Sequence, residues 1–183
     1  MALAEDLERI ASAAETFAAP GERLAGILVA EPLDLGRLYL CAYEEGERHA
    51  WLVLDEAGAP VADRHAVREA AQLAGLCEIA EETAGGGDLE QLIARLVEIR
   101  ETEAPAGIEE AEAAARALAA TLEPEPRVAT TAYLDRLGAA SRRLEQALGD
   151  DGGSAFAAAV QSALPAVDEL AADVERTYKG PLA

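Results

Sequence analysis

The stretch RLYLCAYEEGERHAWLVLD, residues 37–55, decides the fold class of this chain. It contains two runs rich in Leu, Val, Tyr and Trp, Arg37–Glu44 and His49–Asp55, on either side of a charged segment around Gly46. Runs of this length and composition are typical of β-strands, and a glycine among charged residues is typical of a tight hairpin turn. The stretch therefore predicts two antiparallel strands joined by a turn at Gly46.

A third strand is predicted upstream of this hairpin. The run Leu24–Ala30 has the same composition, and Pro32 and Gly36 separate it from the next strand. The chain is therefore expected to form a three-stranded antiparallel meander. Both faces of the second strand are apolar, so we expect cover on both sides of the sheet, or a partner on one side.

The rest of the sequence is helical in pattern. Apolar residues recur every three or four positions before Pro20, which predicts an N-terminal helix. Asp63 is a plausible N-cap for a helix that runs to about Thr83. Further helical stripes follow and stop at Pro124-Glu125-Pro126, and two long helices, the second containing Pro165, end the chain. A proline inside a helix removes one backbone hydrogen bond, so we expect a kink or a break there.

These patterns predict an α+β fold that is mainly α. Its parts are an N-terminal helix, the three-stranded meander, and a helical bundle that ends in a long helical hairpin. We expect two domains. Residues 1–104 would form the α+β part, and residues 105–183 a helical segment that packs on it or serves as an oligomerisation hairpin.

The charge of the chain excludes some classes of partner. A formal net charge of −20 over 183 residues repels nucleic-acid phosphates and anionic lipids, so neither is expected to bind directly. A basic partner is compatible with this acidity. The first ten residues carry acidic side chains where a signal peptide has basic ones. No apolar run is long enough to cross a membrane, so we expect a cytoplasmic protein.

One short segment resembles a catalytic signature but lacks its functional residues. Residues 68–76, REAAQLAGL, resemble the end of the Nudix hydrolase signature, in which two adjacent glutamates hold Mg²⁺. The corresponding positions here are Gln72 and Leu73, which do not supply the carboxylate oxygens that Mg²⁺ requires. The sequence therefore predicts no Nudix activity.

The residues with chemically useful side chains are few, and most fall on the second and third strands and the following helix. His65 and Glu69 share a helical face, but two ligands do not make a metal site, so we expect no metal and no cofactor. Cys41 and His49 lie on neighbouring strands, which makes a Cys–His pair geometrically possible. The candidate pocket or partner surface consists of Tyr39, Cys41, Tyr43, His49, Trp51, His65 and Glu69.

The apolar strand faces and the pattern of the last two helices lead us to expect a non-enzymatic protein-interaction or assembly module. We expect it to self-associate, as a homodimer, and its acidic surface to be able to dock a basic protein. One alternative is a small-ligand-binding protein or enzyme with a pocket between the meander and the helix that starts near Asp63. A further alternative is an acidic mimic of nucleic acid.

Overall fold

A computed structural model of the chain describes residues 2–85, 88–149 and 154–183. The fold is α+β and mainly helical, as the sequence predicts. The elements are α1 (Ala2–Glu15), β1 (Arg23–Ala30), β2 (Leu38–Glu45), β3 (Arg48–Leu54), α2 (Arg64–Ala84), α3 (Asp88–Thr102), α4 (Ile108–Leu122), β4 (Val128–Ala129), α5 (Thr131–Ala147) and α6 (Ala155–Arg176).

The predicted meander is confirmed. β1 pairs antiparallel with β2, and β2 pairs antiparallel with β3. The hairpin between β2 and β3 is closed by the pair Glu45 and Arg48, which leaves a two-residue loop. Gly46 has φ 60° at the first loop position, the conformation in which glycine is favoured and which matches the twist of the two strands.

A fourth strand extends the sheet beyond the predicted three. β4 pairs parallel with the end of β1, with Val128 beside Val29 and Ala129 beside Ala30, and the strand order is β3-β2-β1-β4. The sequence analysis did not predict this strand. Two residues are too few to show the alternating pattern from which a strand is predicted.

The first face of the sheet packs under α1. Ile10 and Ala14 of α1 are buried in one cluster with Tyr39, Cys41 and Tyr43 of β2. Their spacing on the helix follows the predicted stripe, because residues four apart lie on one face of a helix. The core at this face therefore joins the N-terminal helix to the central strand.

The second face of the sheet is also buried. Leu38, Leu40 and Val53 are at most 4% exposed, and α2 and α6 both carry buried residues. α2 begins after Asp63, whose Oδ1 accepts a hydrogen bond from the backbone N–H of His65 at 3.0 Å, as expected of an N-cap. Gly75 of α2 lies against α6, since a Cβ there would be 3.0 Å from Cδ2 of Leu170.

By the contacts between its residues, the chain divides into two compact units. The sheet unit comprises Met1–Gly75, Pro126–Thr131 and Pro165–Ala183, and the helical unit comprises Leu76–Glu125 and Ala132–Leu164. Each unit is built from segments distant in sequence. The separation of residues 1–104 and 105–183 into two domains stays a prediction.

In the helical unit, α3 packs on α4 and α5 packs on the start of α6. Buried alanines of α4 allow close approach, and Arg100 of α3 pairs with Glu112 of α4 at 2.7 Å. Glu145 of α5 accepts a hydrogen bond at 2.8 Å from the backbone N–H of Phe156. The turn of this hairpin, residues 150–153, lies outside the described residues. α6 continues through Pro165 without a break.

Candidate functional site

Three residues of the predicted pocket or partner surface, which we call the aromatic face, lie in the core: Tyr39, Cys41 and Tyr43. Tyr39, Cys41 and Tyr43 share one face of β2, as their alternation predicts, and none of them is more than 1% exposed. The hydroxyl of Tyr43 donates a hydrogen bond to the backbone carbonyl of Ala14 in α1 at 2.7 Å. These three side chains therefore hold α1 on the sheet.

The burial of Cys41 controls its chemistry. Desolvation raises the pKa of the Cys41 thiol to about 12, because the thiolate is poorly stabilised away from water. The nucleophilic form of cysteine is the thiolate. At neutral pH Cys41 is therefore a protonated, unreactive core residue.

His49 and Trp51 lie on the opposite face of the sheet from Cys41. In the β2–β3 register, Cys41 pairs with Leu52, whereas His49 pairs with Glu44 and Trp51 pairs with Ala42. Directly paired residues share a face and successive residues alternate. The Cys–His pair considered from the sequence is therefore separated by the sheet itself.

The neighbours of His49 are on α6. Its Nε2 lies 2.7 Å from Oδ2 of Asp173, and the same carboxylate pairs with Arg176. The His49 side chain is half exposed. His65 is exposed in the first turn of α2, and Glu69, one turn later, is half-buried. The seven predicted residues thus fall on both faces of the sheet and on α2, and only Tyr39, Cys41 and Tyr43 lie in one cluster.

A half-buried cation that the sequence analysis did not single out lies beside Tyr43. Lys179 is the only lysine of the chain, and its side chain is 17% exposed. Its Nζ pairs with the Glu22 carboxylate and donates a hydrogen bond to the backbone carbonyl of Phe17 at 2.6 Å. The hydrogen bond from Lys179 lowers the pKa of Glu22. The only signal in the sequence that could have drawn attention to Lys179 is that it is a single lysine among many arginines.

Residues 177–183, the C-terminal strap, close the free edge of β3. The backbone N–H of Trp51 donates to the carbonyl of Thr177 at 3.2 Å, and that of Lys179 donates to the carbonyl of Trp51 at 2.8 Å. The hydroxyl of Tyr178 donates to the carbonyl of Val61 at 2.6 Å. An open edge strand exposes unpaired backbone groups that promote association with other chains, and the strap occupies this one.

The helical unit carries exposed carboxylates around the turn between α3 and α4. We call this set the acidic corner. Its side chains are exposed, and within the described ranges none of them forms an ion pair. Glu112 differs, because it is half-buried and pairs with Arg100 and Arg116. The acidic corner consists of Glu98, Glu101, Glu103, Glu109 and Glu110.

Two adjoining grooves lie in the helical unit. One has a volume of about 300 Å³ and is lined mainly by apolar side chains of α4, α5 and α6. The other has a volume of about 350 Å³ and includes Glu82 and Asp88. Thr83, Ala84 and Leu144 line both grooves, which therefore lie side by side. We call them together the helical groove.

One buried hydroxyl beside the helical groove has no hydrogen-bond partner among the described residues. Ser141 is 5% exposed, and in the described part of the chain its Oγ makes no hydrogen bond. Leaving a buried polar group unsatisfied costs about 1–3 kcal/mol. The Ser141 hydroxyl is therefore expected to destabilise the fold by an amount of this order.

The part of the chain that the structure describes contains neither a group of metal-ligating side chains nor a helix suited to cross a membrane. No three His, Cys, Asp or Glu side chains there are grouped so that they could hold a metal ion. None of the described helices combines the length and apolar character needed to cross a bilayer.

The sites described above differ in what they can do chemically. The strap and the aromatic face stabilise the sheet unit, the acidic corner presents negative charge, and the helical groove presents an apolar surface beside two carboxylates. No protein-family model, curated protein or solved structure matches this chain.

Proposed function

We propose that this chain is a non-enzymatic protein-interaction module that docks a basic protein on the acidic corner. The observation that carries the proposal is the exposure of five carboxylates around one turn, none paired with a basic side chain of the described residues. A cluster of negative charges attracts a positively charged partner and so speeds its association. It also offers several carboxylates with which the partner can form ion pairs.

A basic partner is favoured over a second copy of the chain. The apolar faces of β2 that led us to expect a homodimer are buried, and the strap covers the β3 edge. Two copies that each carry a formal charge of −20 also repel each other. The experiment below also measures the oligomeric state and would detect a homodimer.

The alternative functions differ in the residues that they would use. A mimic of nucleic acid would use this same acidic corner, with a nucleic-acid-binding protein as the basic partner. An enzyme with a pocket lined by the predicted residues is less favoured, because Cys41 is protonated and His49 lies on the other face of the sheet. A cytoplasmic location is proposed together with the interaction role.

The proposal is tested by binding a fluorescent arginine-rich peptide and following its anisotropy at low and high salt. In the corner variant, Glu101, Glu103, Glu109 and Glu110 are changed to Gln. In the control variant, the exposed residues Glu5, Glu8, Glu15 and Glu47 of the sheet unit are changed to Gln. Both variants lose four charges, so their net charge is the same.

We expect the corner variant to bind the peptide about tenfold or more weakly at low salt, and the control to lose much less, since each lost contact removes up to about 1 kcal/mol. Equal losses in both variants would show attraction by net charge without a docking surface. Light scattering of the free protein gives the oligomeric state, and a stable dimer would favour self-association instead.

A further inference from the structure

We propose that the strap is an autoinhibitory contact. It fills a peptide-binding site on the sheet unit, and an extended segment of another protein that carries the sequence Tyr-Lys-Gly displaces it. The site consists of the edge of β3 and a cation pocket formed by Glu22, Phe17 and Tyr43. This proposal does not depend on the acidic corner or on the function proposed above.

The strap lies on β3 as an added strand does. Tyr178 lies beside Trp51 in parallel orientation, and both backbone groups of Trp51 bond to the strap. Sheet edges bind extended peptides in this way, with main-chain hydrogen bonds supplying much of the affinity. Because these bonds depend on the backbone and not on which chain supplies it, the same edge accepts an extended segment of another protein.

The cation pocket gives the site its strongest preference. The Nζ of Lys179 pairs with Glu22 and donates a hydrogen bond to the backbone carbonyl of Phe17. It also lies 4.1 Å from the centroid of the Tyr43 ring. A carboxylate, a carbonyl oxygen and a ring face all favour a positive charge. The pocket therefore selects a lysine at this position of the bound segment.

The residues before and after the lysine restrict the sequence further. The hydroxyl of Tyr178 donates to the carbonyl of Val61 at 2.6 Å and lies 3.4 Å from the backbone nitrogen of Val53. Gly180 lies so close to the sheet that a Cβ there would be 3.1 Å from Cδ1 of Leu52. A larger residue would displace that leucine, which is buried. The site is therefore complementary to Tyr-Lys-Gly.

The strap is held less extensively than a strand inside the sheet. Among the described residues a single pair, Trp51 with Tyr178, joins it to β3, whereas seven pairs join β2 to β3. A segment with few backbone bonds opens at a lower free-energy cost than the core of the fold. An incoming segment can therefore reach the site without global unfolding.

The charge of the chain favours a segment of a different protein. A lysine-containing segment is attracted by a chain with a formal charge of −20. A second copy of this chain carries the same strap, but its own charge of −20 repels it. The occupant is therefore a segment of a less acidic protein.

The opening of the strap is tested on the unaltered chain by amide hydrogen exchange. The amide of Lys179, which bonds to Trp51 at the sheet edge, is compared with that of Leu40 in β2. We expect the Lys179 amide to be less protected by at least about 100-fold, because local opening releases it. Equal protection would mean that the strap leaves only on global unfolding and would overturn the proposal.

Binding is measured by the fluorescence anisotropy of a labelled peptide with the sequence of residues 176–183. Tyr178→Ala with Lys179→Ala weakens the strap in the full chain and leaves the residues of the site unchanged. We expect this variant to bind the peptide at least about tenfold more tightly than the wild type, in which the strap competes at a millimolar effective concentration. If the variant is folded by circular dichroism and shows no saturable binding, the proposal is wrong. The exchange measurement decides whether or not the variant folds.

Altered peptides test the preference for lysine. A peptide with norleucine in place of the lysine should bind the weakened variant about tenfold less tightly, because it cannot form the charge-assisted hydrogen bonds of the cation pocket. A scrambled peptide keeps the composition and the charge and should also bind weakly. Equal binding of the native and scrambled peptides would assign the affinity to net charge and overturn the site.

A matched pair of substitutions in the weakened variant locates the pocket. Glu22→Gln should reduce peptide binding by about fivefold, and Glu15→Gln should leave it within about twofold, since Glu15 is exposed and pairs with no basic side chain of the described residues. Equal effects would show that the peptide binds elsewhere. Light scattering of the weakened variant completes the test, because a stable dimer would assign the site to a second copy and contradict the proposed occupant.

Discussion

The ammonium group of Lys179 lies over the ring of Tyr43, with Nζ 4.1 Å from the ring centroid. A cation in this position is attracted by the electron-rich ring face. The same Nζ pairs with Glu22, and both side chains are less than one-fifth exposed. The end of the chain is thus held to β2 and to the segment that follows α1.

Replacing Lys179 by Met should lower the free energy of unfolding by about 1–2 kcal/mol, because it removes the charge-assisted hydrogen bond to the partly exposed Glu22 carboxylate. Urea denaturation measures the change. Arg48 of β3 is exposed and makes no ion pair with a described residue, so Arg48→Met removes one positive charge as a control. A loss below about 0.5 kcal/mol for Lys179→Met, as expected for a surface site, would contradict the structural role of the lysine.

The pairing of Glu22 with Lys179 should make stability depend on pH in the acid range. The pKa of Glu22 is lower in the folded chain than its usual value of 4.5. Its contribution is therefore present above about pH 4.5 and is lost as the pH falls through the folded pKa. We expect the stability difference between wild type and Glu22→Gln to be constant near neutrality and to shrink on acidification. A difference that does not change with pH would rule out this linkage.

Glu78 should show the opposite sign. Partial desolvation, and then Glu81 and Glu82, raise the pKa of this exposed carboxyl, so the charged form opposes folding above the pKa of the unfolded chain. Glu78→Gln should therefore stabilise the protein at pH 7, and the gain should disappear at pH values below the unfolded pKa, where both states carry a protonated carboxyl. Thermal unfolding across this pH range provides the measurement, and destabilisation at pH 7 would show that the repulsion is unimportant.

Gly75 should not tolerate a large side chain. A Cβ there would already be 3.0 Å from Cδ2 of Leu170 and 3.5 Å from Cγ1 of Val167, so Gly75→Leu overpacks the contact between α2 and α6. The cost expected for overpacking is about 1–3 kcal/mol, measured by chemical denaturation. Gly138→Ala is the comparison, because its Cβ would have an ordinary 3.7 Å contact; it should stabilise by about 0.5–1 kcal/mol.

Ser141→Ala should stabilise the free protein by about 1 kcal/mol, since it removes a buried hydroxyl that lacks a partner. Ser162→Ala in α6 is the matched control. Ser162 is exposed and its hydroxyl donates to the backbone carbonyl of Ala158 at 2.9 Å, so only the difference in helix propensity should remain. If both substitutions raise the melting temperature equally, the missing hydrogen-bond partner of the Ser141 hydroxyl does not destabilise the folded protein.

The elements of the fold were predictable where the interactions that form them are local. Gly46 provides the positive φ of a two-residue turn, and Asp63 caps α2 through an N–H two residues away. Both effects involve residues that are at most two positions apart in the sequence. The strands and helices therefore begin and end close to the predicted residues.

The face occupied by each site residue was only partly predictable. Alternation along β2 places Tyr39 and Tyr43 together, but it does not say which helix covers them. The two-residue loop closed by Glu45 and Arg48 fixes the register, and this register sends Trp51 to the other face. The sequence analysis placed the turn near Gly46 without fixing its length, so the face of Trp51 stayed open.

The sequence by itself determined the helices, the three strands of the meander, their order along the chain and the strongly negative charge, since periodicity, turn residues and composition act along the chain. Only the tertiary structure decided that β4 joins β1 and that Lys179 bonds to Phe17, 162 positions away. Such contacts carry no local pattern, because their partners are chosen by packing and by the need to satisfy buried polar groups after the chain has folded back on itself.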